Sequence, residues 1–166
     1  MFEYEKINEL KEIKAEMKKN DINNIWEYYD PNPPANDEEI ASIKDKGIVL
    51  DNEIIEFWKI CNGWNCFYQM VDLFGTTDIF SEKMNYANTI LKIEIDNQNE
   101  FENGQLMPIA ISREDMDIFA YVKYGNSAGK IIWYAGGEIE RFASFSDFFA
   151  HMIEYCRADM NDLCNV

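Results

Sequence analysis

Between residues 105 and 155 the chain alternates short apolar runs with small, polar or glycine-rich breaks, the pattern of a meander followed by a helix. The segment LMPIAIS reads as a strand with a proline near its entry. Ile118, Ala120, Val122 and Tyr124 then alternate with Phe119, Tyr121 and Lys123, the two-residue period of a strand with two unlike faces. Gly125 and Gly129 bracket Asn126, Ser127 and Ala128, a turn of small residues. Residues 130–134 form a short apolar run, and Gly136-Gly137 can take the positive φ that reverses the chain into residues 138–142. Ser144 is a helix N-cap, with Asp147 in the first turn behind it. Phe145, Phe148, Phe149, Met152, Ile153 and Cys156 then fall at helical spacing on one broad apolar stripe. Three phenylalanines on one face need a sheet to cover, and the meander supplies it.

Residues 50–63 predict a second helix, capped by Asp51 or Asn52. Ile54, Ile55, Trp58 and Cys61 form its buried stripe, Phe57 lies on the flank, and Asn62-Gly63 ends it. Before it, residues 37–46 predict a shorter helix with a capping box from Asn36 to Glu39 and a stop at Gly47. Residues 2–20 predict a helix carrying Ile7, Leu10, Ile13 and Met17. The stretch 22–29 carries Ile25, Trp26 and Tyr29, and the proline-rich segment 30–36 breaks regular structure inside one domain. Residues 70–75 read as a strand, 76–80 as a bend, 81–95 as a helix with Tyr86, Ile90 and Leu91 apolar, and 96–104 as a polar, acidic loop.

This order of pieces resembles the SUKH superfamily, which includes fungal cell-wall assembly regulators and many bacterial immunity proteins. The resemblance rests on a helix ending in Gly47, a helix ending in Asn62-Gly63, the strand Leu73-Phe74-Gly75, the PIA strand and the final S-F-S-D-F-F helix, and it covers residues 34–155. Leu50-Asp51 stands where the family has Leu-Pro, and Ile43 where it often has Glu; Asp opens a helix as well as Pro does, so the fold reading is unaffected. The expectation is one domain over residues 1–166, with residues 1–33 as an N-terminal helical extension. Its fold class is α+β: N-terminal helices, a mostly antiparallel sheet, and a C-terminal helix packed on that sheet. By resemblance, the function is non-catalytic protein binding, with an immunity protein as its most specific form and a regulatory or scaffold domain as the alternative.

Composition narrows the partners. The chain has 166 residues, 47% of them hydrophobic, enough for a real core. A net charge of −16 repels phosphate backbones and favours basic protein partners; no nucleic-acid partner is expected. Lys11, Lys14, Lys18 and Lys19 alternate with Glu9, Glu12 and Glu16 and read as a solvated helix face. No apolar run is long enough to span a membrane and the first ten residues carry acid where a secretory signal carries base, so a cytoplasmic protein is expected.

Candidate chemistry is sparse. Cys61 and Cys156 sit on apolar stripes, Cys61 and Cys66 lack zinc-knuckle spacing, and one histidine is present, so neither a metal site, a cofactor nor a disulfide is expected. His151 reads as an exposed helix residue. The trio Glu114, Asp115 and Asp117 could serve a hydrolase as a carboxylate pair, but reads as a hairpin tip that stays wet. Trp64, Phe67 and Tyr68 read as core ahead of interface. If the partner is a basic, nuclease-like toxin domain, the expected contact residues are Glu114, Asp115, Asp117, Glu138, Glu140, Glu100 and Glu102, with Trp64, Phe67 and Tyr68 as the aromatic alternative.

Overall fold

A computed structural model describes residues 1–165. Three helices come first: α1 (Tyr4–Asn20), α2 (Asp37–Asp45) and α3 (Asn52–Trp58). Strands β1 (Trp64–Tyr68) and β2 (Val71–Leu73) follow. Then come a 3₁₀ turn (Asp78–Phe80), helix α4 (Glu82–Asp96), strands β3 (Leu106–Ser112), β4 (Ile118–Val122), β5 (Ile131–Tyr134) and β6 (Glu138–Phe142), and helix α5 (Phe145–Cys164). The six strands form one antiparallel sheet in the order β1-β2-β3-β4-β5-β6. The α+β class holds, with helices before, within and after a meander.

The caps act where local chemistry places them. Asn36 accepts from Glu39 N at 2.9 Å while the Glu39 carboxylate accepts from Asn36 N at 2.8 Å, a complete capping box. Asp51 accepts from Glu53 N at 2.7 Å. Ser144 accepts from Asp147 N at 3.2 Å, and the Asp147 carboxylate reaches back to Ala143 N at 2.8 Å.

Helix α5 lies against the sheet face shared by Phe67, Phe119, Trp133 and Phe142. Phe148 sits 5.2 Å from Phe119, 5.6 Å from Phe142 and 5.9 Å from Phe67, ring centre to ring centre. Helix α1 runs along α5, and Phe2 packs edge-on against Phe57 and Phe149. The residues preceding the proline-rich segment therefore share the core of the rest. Helix α4 covers the opposite face over β3 and β4. With both faces covered, every residue of β4 is buried; the alternation in its sequence does not mark a wet side. In α3, Phe57 is fully buried and Ile55 only half so, the reverse of their expected roles, because α5 and Phe2 approach on the Phe57 side. Tyr86 of α4 points to solvent while Leu91 is buried.

The Asn62-Gly63 and Phe74-Gly75 motifs meet. Thr76 N donates to Asn62 Oδ1 at 2.7 Å and Asn62 Nδ2 donates to Thr76 Oγ1 at 2.9 Å. A Cβ on Gly75 would lie 2.1 Å from the carbonyl oxygen of Asn62. Two segments of backbone can cross this closely only with glycine at the crossing.

Lys14 departs from expectation. It is 5% exposed, and burial pulls its ammonium pKa down; its Nζ lies 5.6 Å from the Tyr28 ring centre. It belongs to the α1 face turned to α5, not to a solvated one.

Candidate functional site

The β1–β2, β3–β4 and β5–β6 turns lie at one end of the sheet, and most of the expected contact acids cluster there. The β5–β6 hairpin divides them into two groups, because a register shift pairs Glu140 with Trp133 but Glu138 with Tyr134, so these two acids, two residues apart, face opposite sides.

On the α5 side stand Asp117 and Glu140, flanking Trp133. Trp133 Nε1 donates to Asp117 Oδ1 at 2.6 Å, and Glu140 accepts from the Tyr155 hydroxyl. Trp133 stacks on Phe119 at 5.0 Å and meets Tyr68 edge-on at 6.2 Å. Asp117 is therefore not a wet hairpin acid. Burial, together with the neighbouring Asp115 carboxylate, pushes its pKa up to about 6, although the Trp133 hydrogen bond acts the other way. Asp115 goes the opposite way: despite some burial, hydrogen bonds from Ser112 and Asp117 pull it down. When the pair carries one proton, below about pH 6, Asp117 is the acid that holds it and Asp115 the one that keeps its charge. The pair pins the β3–β4 turn, since Ser112 Oγ also accepts from Glu114 N and Asp115 N, each at 3.2 Å. Glu114 itself is exposed.

On the α4 side stand Glu100 and Glu138, both clasped by Arg141. Arg141 donates to Glu100 at 2.6 and 2.7 Å in a two-pronged pair and to Glu138 at 2.9 and 2.7 Å. Hydrogen bonding to Arg141 holds the Glu100 carboxyl below its usual range. Beside them is a pocket of about 510 Å³, lined among others by Ile93, Glu94, Met116, Tyr134 and Gly136. Glu102 is not brought to this end; it accepts from the Tyr124 hydroxyl at 3.1 Å, beyond the far end of β4.

Trp64, Phe67 and Tyr68 lie on β1 and are buried, Trp64 with its Nε1 donating to the Tyr29 carbonyl at 2.8 Å. They form core, so the aromatic contact surface is corrected. His151 is half-exposed, with Nδ1 2.8 Å from the Asp147 carbonyl oxygen. Cys61, Cys66 and Cys156 are buried free thiols, pushed up to about 12, 11 and 12 chiefly by desolvation, and Cys164 is exposed. Among the described residues, no group of three or more His, Cys, Asp or Glu is placed to hold a metal, and no helix is long and apolar enough to cross a membrane. A wider cleft of about 780 Å³ between α4, residues 47–49 and the start of β3 is mostly apolar; its charged residues are Lys92 and Lys123.

Sequence reasoning missed Glu94 and Tyr134. The available signal was an acid at position 94 on the same helical stripe as Ala87 and Leu91, where an apolar residue is the norm.

No curated protein matches the chain. The SMI1 / KNR4 family (SUKH-1) matches residues 34–151, the span that carries the Asn62-Gly63 and Gly75 crossing, the meander and most of the first half of α5. That match covers well over half of the 166 residues, and with the fold it shows that the chain belongs to the SMI1 / KNR4 (SUKH-1) family.

Proposed function

We propose that this chain is a non-catalytic protein-binding domain that acts as an immunity protein, neutralising a bacterial polymorphic or contact-dependent toxin in the cytoplasm. The toxin domain it suits is basic and nuclease-like. The observation that carries this reading is the gathering of Glu100, Glu114, Asp115, Asp117, Glu138 and Glu140 at one end of the sheet, on a chain of net charge −16. Carboxylates so placed can stand in for the phosphates that a nuclease surface attracts, and a field of this sign speeds encounter with a basic partner. Family membership supports a domain that binds proteins without catalysis. The carboxylate pair supports the same reading: both acids are occupied in holding the hairpin to Trp133 and Ser112.

The test is stopped-flow association with a basic nuclease toxin domain sought among the genes adjoining this one, alongside growth rescue on co-expression. Glu114→Lys with Glu140→Lys is expected to slow association at low salt and flatten its salt dependence, with little change in melting temperature. Equal association rates at low salt would overturn the electrostatic reading. Absence of rescue, with binding instead to a partner native to the cell, would favour a regulatory or scaffold role.

A further inference from the structure

We infer that the pocket between the end of α4 and the β5–β6 turn receives one basic side chain, lysine or arginine, presented by a protein partner. Its floor is the carboxylate of Glu94 and the hydroxyl of Tyr134. Glu94 is 4% exposed and Tyr134 3%. Glu94 Oε1 accepts from Gly136 N at 2.8 Å, which fixes the carboxylate; among the described residues, Oε2 has no hydrogen-bond partner and neither has the Tyr134 hydroxyl. Both atoms reach the solvent of the same cavity, since Ser146 Oγ is the one sealed, unpartnered side-chain polar atom among the described residues, and a ligand that supplies hydrogen can take the place of water there. Burial, with Glu138 nearby, pushes the Tyr134 phenol up to about 12, so it keeps its proton and offers a lone pair.

The sign of the ligand follows from the surround. Glu94, Glu100 and Glu138 all line the pocket, against the single guanidinium of Arg141, which spans the two rim acids and leaves Glu94 uncompensated. An anion would meet three carboxylates. A metal ion needs more converging oxygen or nitrogen ligands than the described residues place there. The walls add shape: Ile93 and Met116 are exposed apolar side chains at the mouth, suited to the methylene stem of a long cationic residue. Gly136 and Gly137, at φ 72° and 132°, bring backbone without side chains to the other lip. That the occupant is a protein rests on the function proposed above; the preference of the pocket for a cation does not.

The probes are the capped tripeptides acetyl-Gly-Arg-Gly-amide, acetyl-Gly-Lys-Gly-amide and acetyl-Gly-norleucine-Gly-amide, titrated into the ¹⁵N-labelled full chain. The basic peptides are expected to shift the Gly136 and Gly137 amides saturably, the larger affinity naming lysine or arginine, and the norleucine peptide is not. Glu94→Gln keeps an oxygen for Gly136 N and the shape of the floor, so its amide spectrum should stay native while affinity falls at least about tenfold. Equal shifts from the norleucine peptide, or unchanged affinity in Glu94→Gln, would overturn the pocket. Failure here with the salt-dependent toxin association intact would remove the pocket and leave the proposed function. Binding of the basic peptides with no association to the basic toxin domain would do the converse.

Discussion

Replacing Phe148 by Ala removes the ring at the centre of the α5–sheet interface. The side chain is fully buried, with ring contacts to Phe67, Phe119, Phe142 and Phe145, all within 6 Å centre to centre. Its neighbours belong to β1, β4, β6 and α5, so the surrounding backbone cannot collapse into the space without moving several elements at once. Truncation of a ring so enclosed costs about 3–5 kcal/mol. Domains of this kind are stable by about 5–15 kcal/mol, so the loss is a large fraction of the total. At about 2–4 °C per kcal/mol for this chain length, the melting temperature should fall by about 6–20 °C. Urea titration with circular dichroism and intrinsic fluorescence measures the free energy, and calorimetry the midpoint. Val49→Ala, at a side chain 77% exposed, serves as the control and should change stability by less than about 0.5 kcal/mol. A Phe148→Ala loss below about 1 kcal/mol, or one equal to the control, would mean that α5 is not held on the sheet as described.

Asp117→Asn keeps an acceptor for Trp133 Nε1 and removes a titration. A folded-state pKa raised to about 6 means that folding favours the protonated form, so the contribution of Asp117 is present at low pH and lost as pH rises through about 6. The variant should therefore gain stability over the parent at pH 8 and match it near pH 4 in paired urea titrations; a gap that does not change with pH refutes the assignment. With a thiol reagent at pH 8, the native protein should label at Cys164 alone, the other three reacting only on unfolding, and fast native labelling of any buried thiol refutes their placement. Gly75→Ala puts a Cβ into the Asn62 carbonyl and should cost more than about 2 kcal/mol, while the same change at Gly104, where a Cβ meets open space at φ +86°, should cost about 1 kcal/mol from conformation alone. Similar costs at the two sites would argue against the crossing.

What the sequence made legible was what neighbouring residues decide among themselves. The caps at Asn36, Asp51 and Ser144 and the stripe from Phe145 to Cys156 depend on spacing within one helix, and each lies where it was read. Burial set by distant elements was less legible. Phe57 outranks Ile55 because Phe2 and α5 arrive on its side, and β4 is wholly buried because α4 covers the face that its alternation left open. The raised pKa of Asp117 was hidden for the same reason: it comes first from burial under elements distant in sequence, then from the Asp115 carboxylate, and the Trp133 hydrogen bond only opposes it. The Glu94–Tyr134 pocket joins a helix, two turns and a loop. Nothing at position 94 alone distinguishes it from a solvated helix acid except its place on an apolar stripe.

The pairing of α1 with α5 has a consequence for biosynthesis. Each strand pairs with the next in sequence, so the sheet can grow as the chain emerges, with α4 inserted between β2 and β3. Helix α1 must wait for α5, which is made much later: Glu9 and Arg157 form an ion pair 148 residues apart. At about 5–20 residues per second, the stripe of Ile7, Leu10, Ile13 and Met17 has no α5 to lie on for roughly 7–30 s. During that interval it is the surface to which a chaperone or a wrong partner has access. Ribosome-stalled chains ending before residue 144 should accordingly be cut within α1 by a dilute protease, while the released full-length protein resists; protection of α1 in the stalled chains would show that the first helix finds its shelter elsewhere.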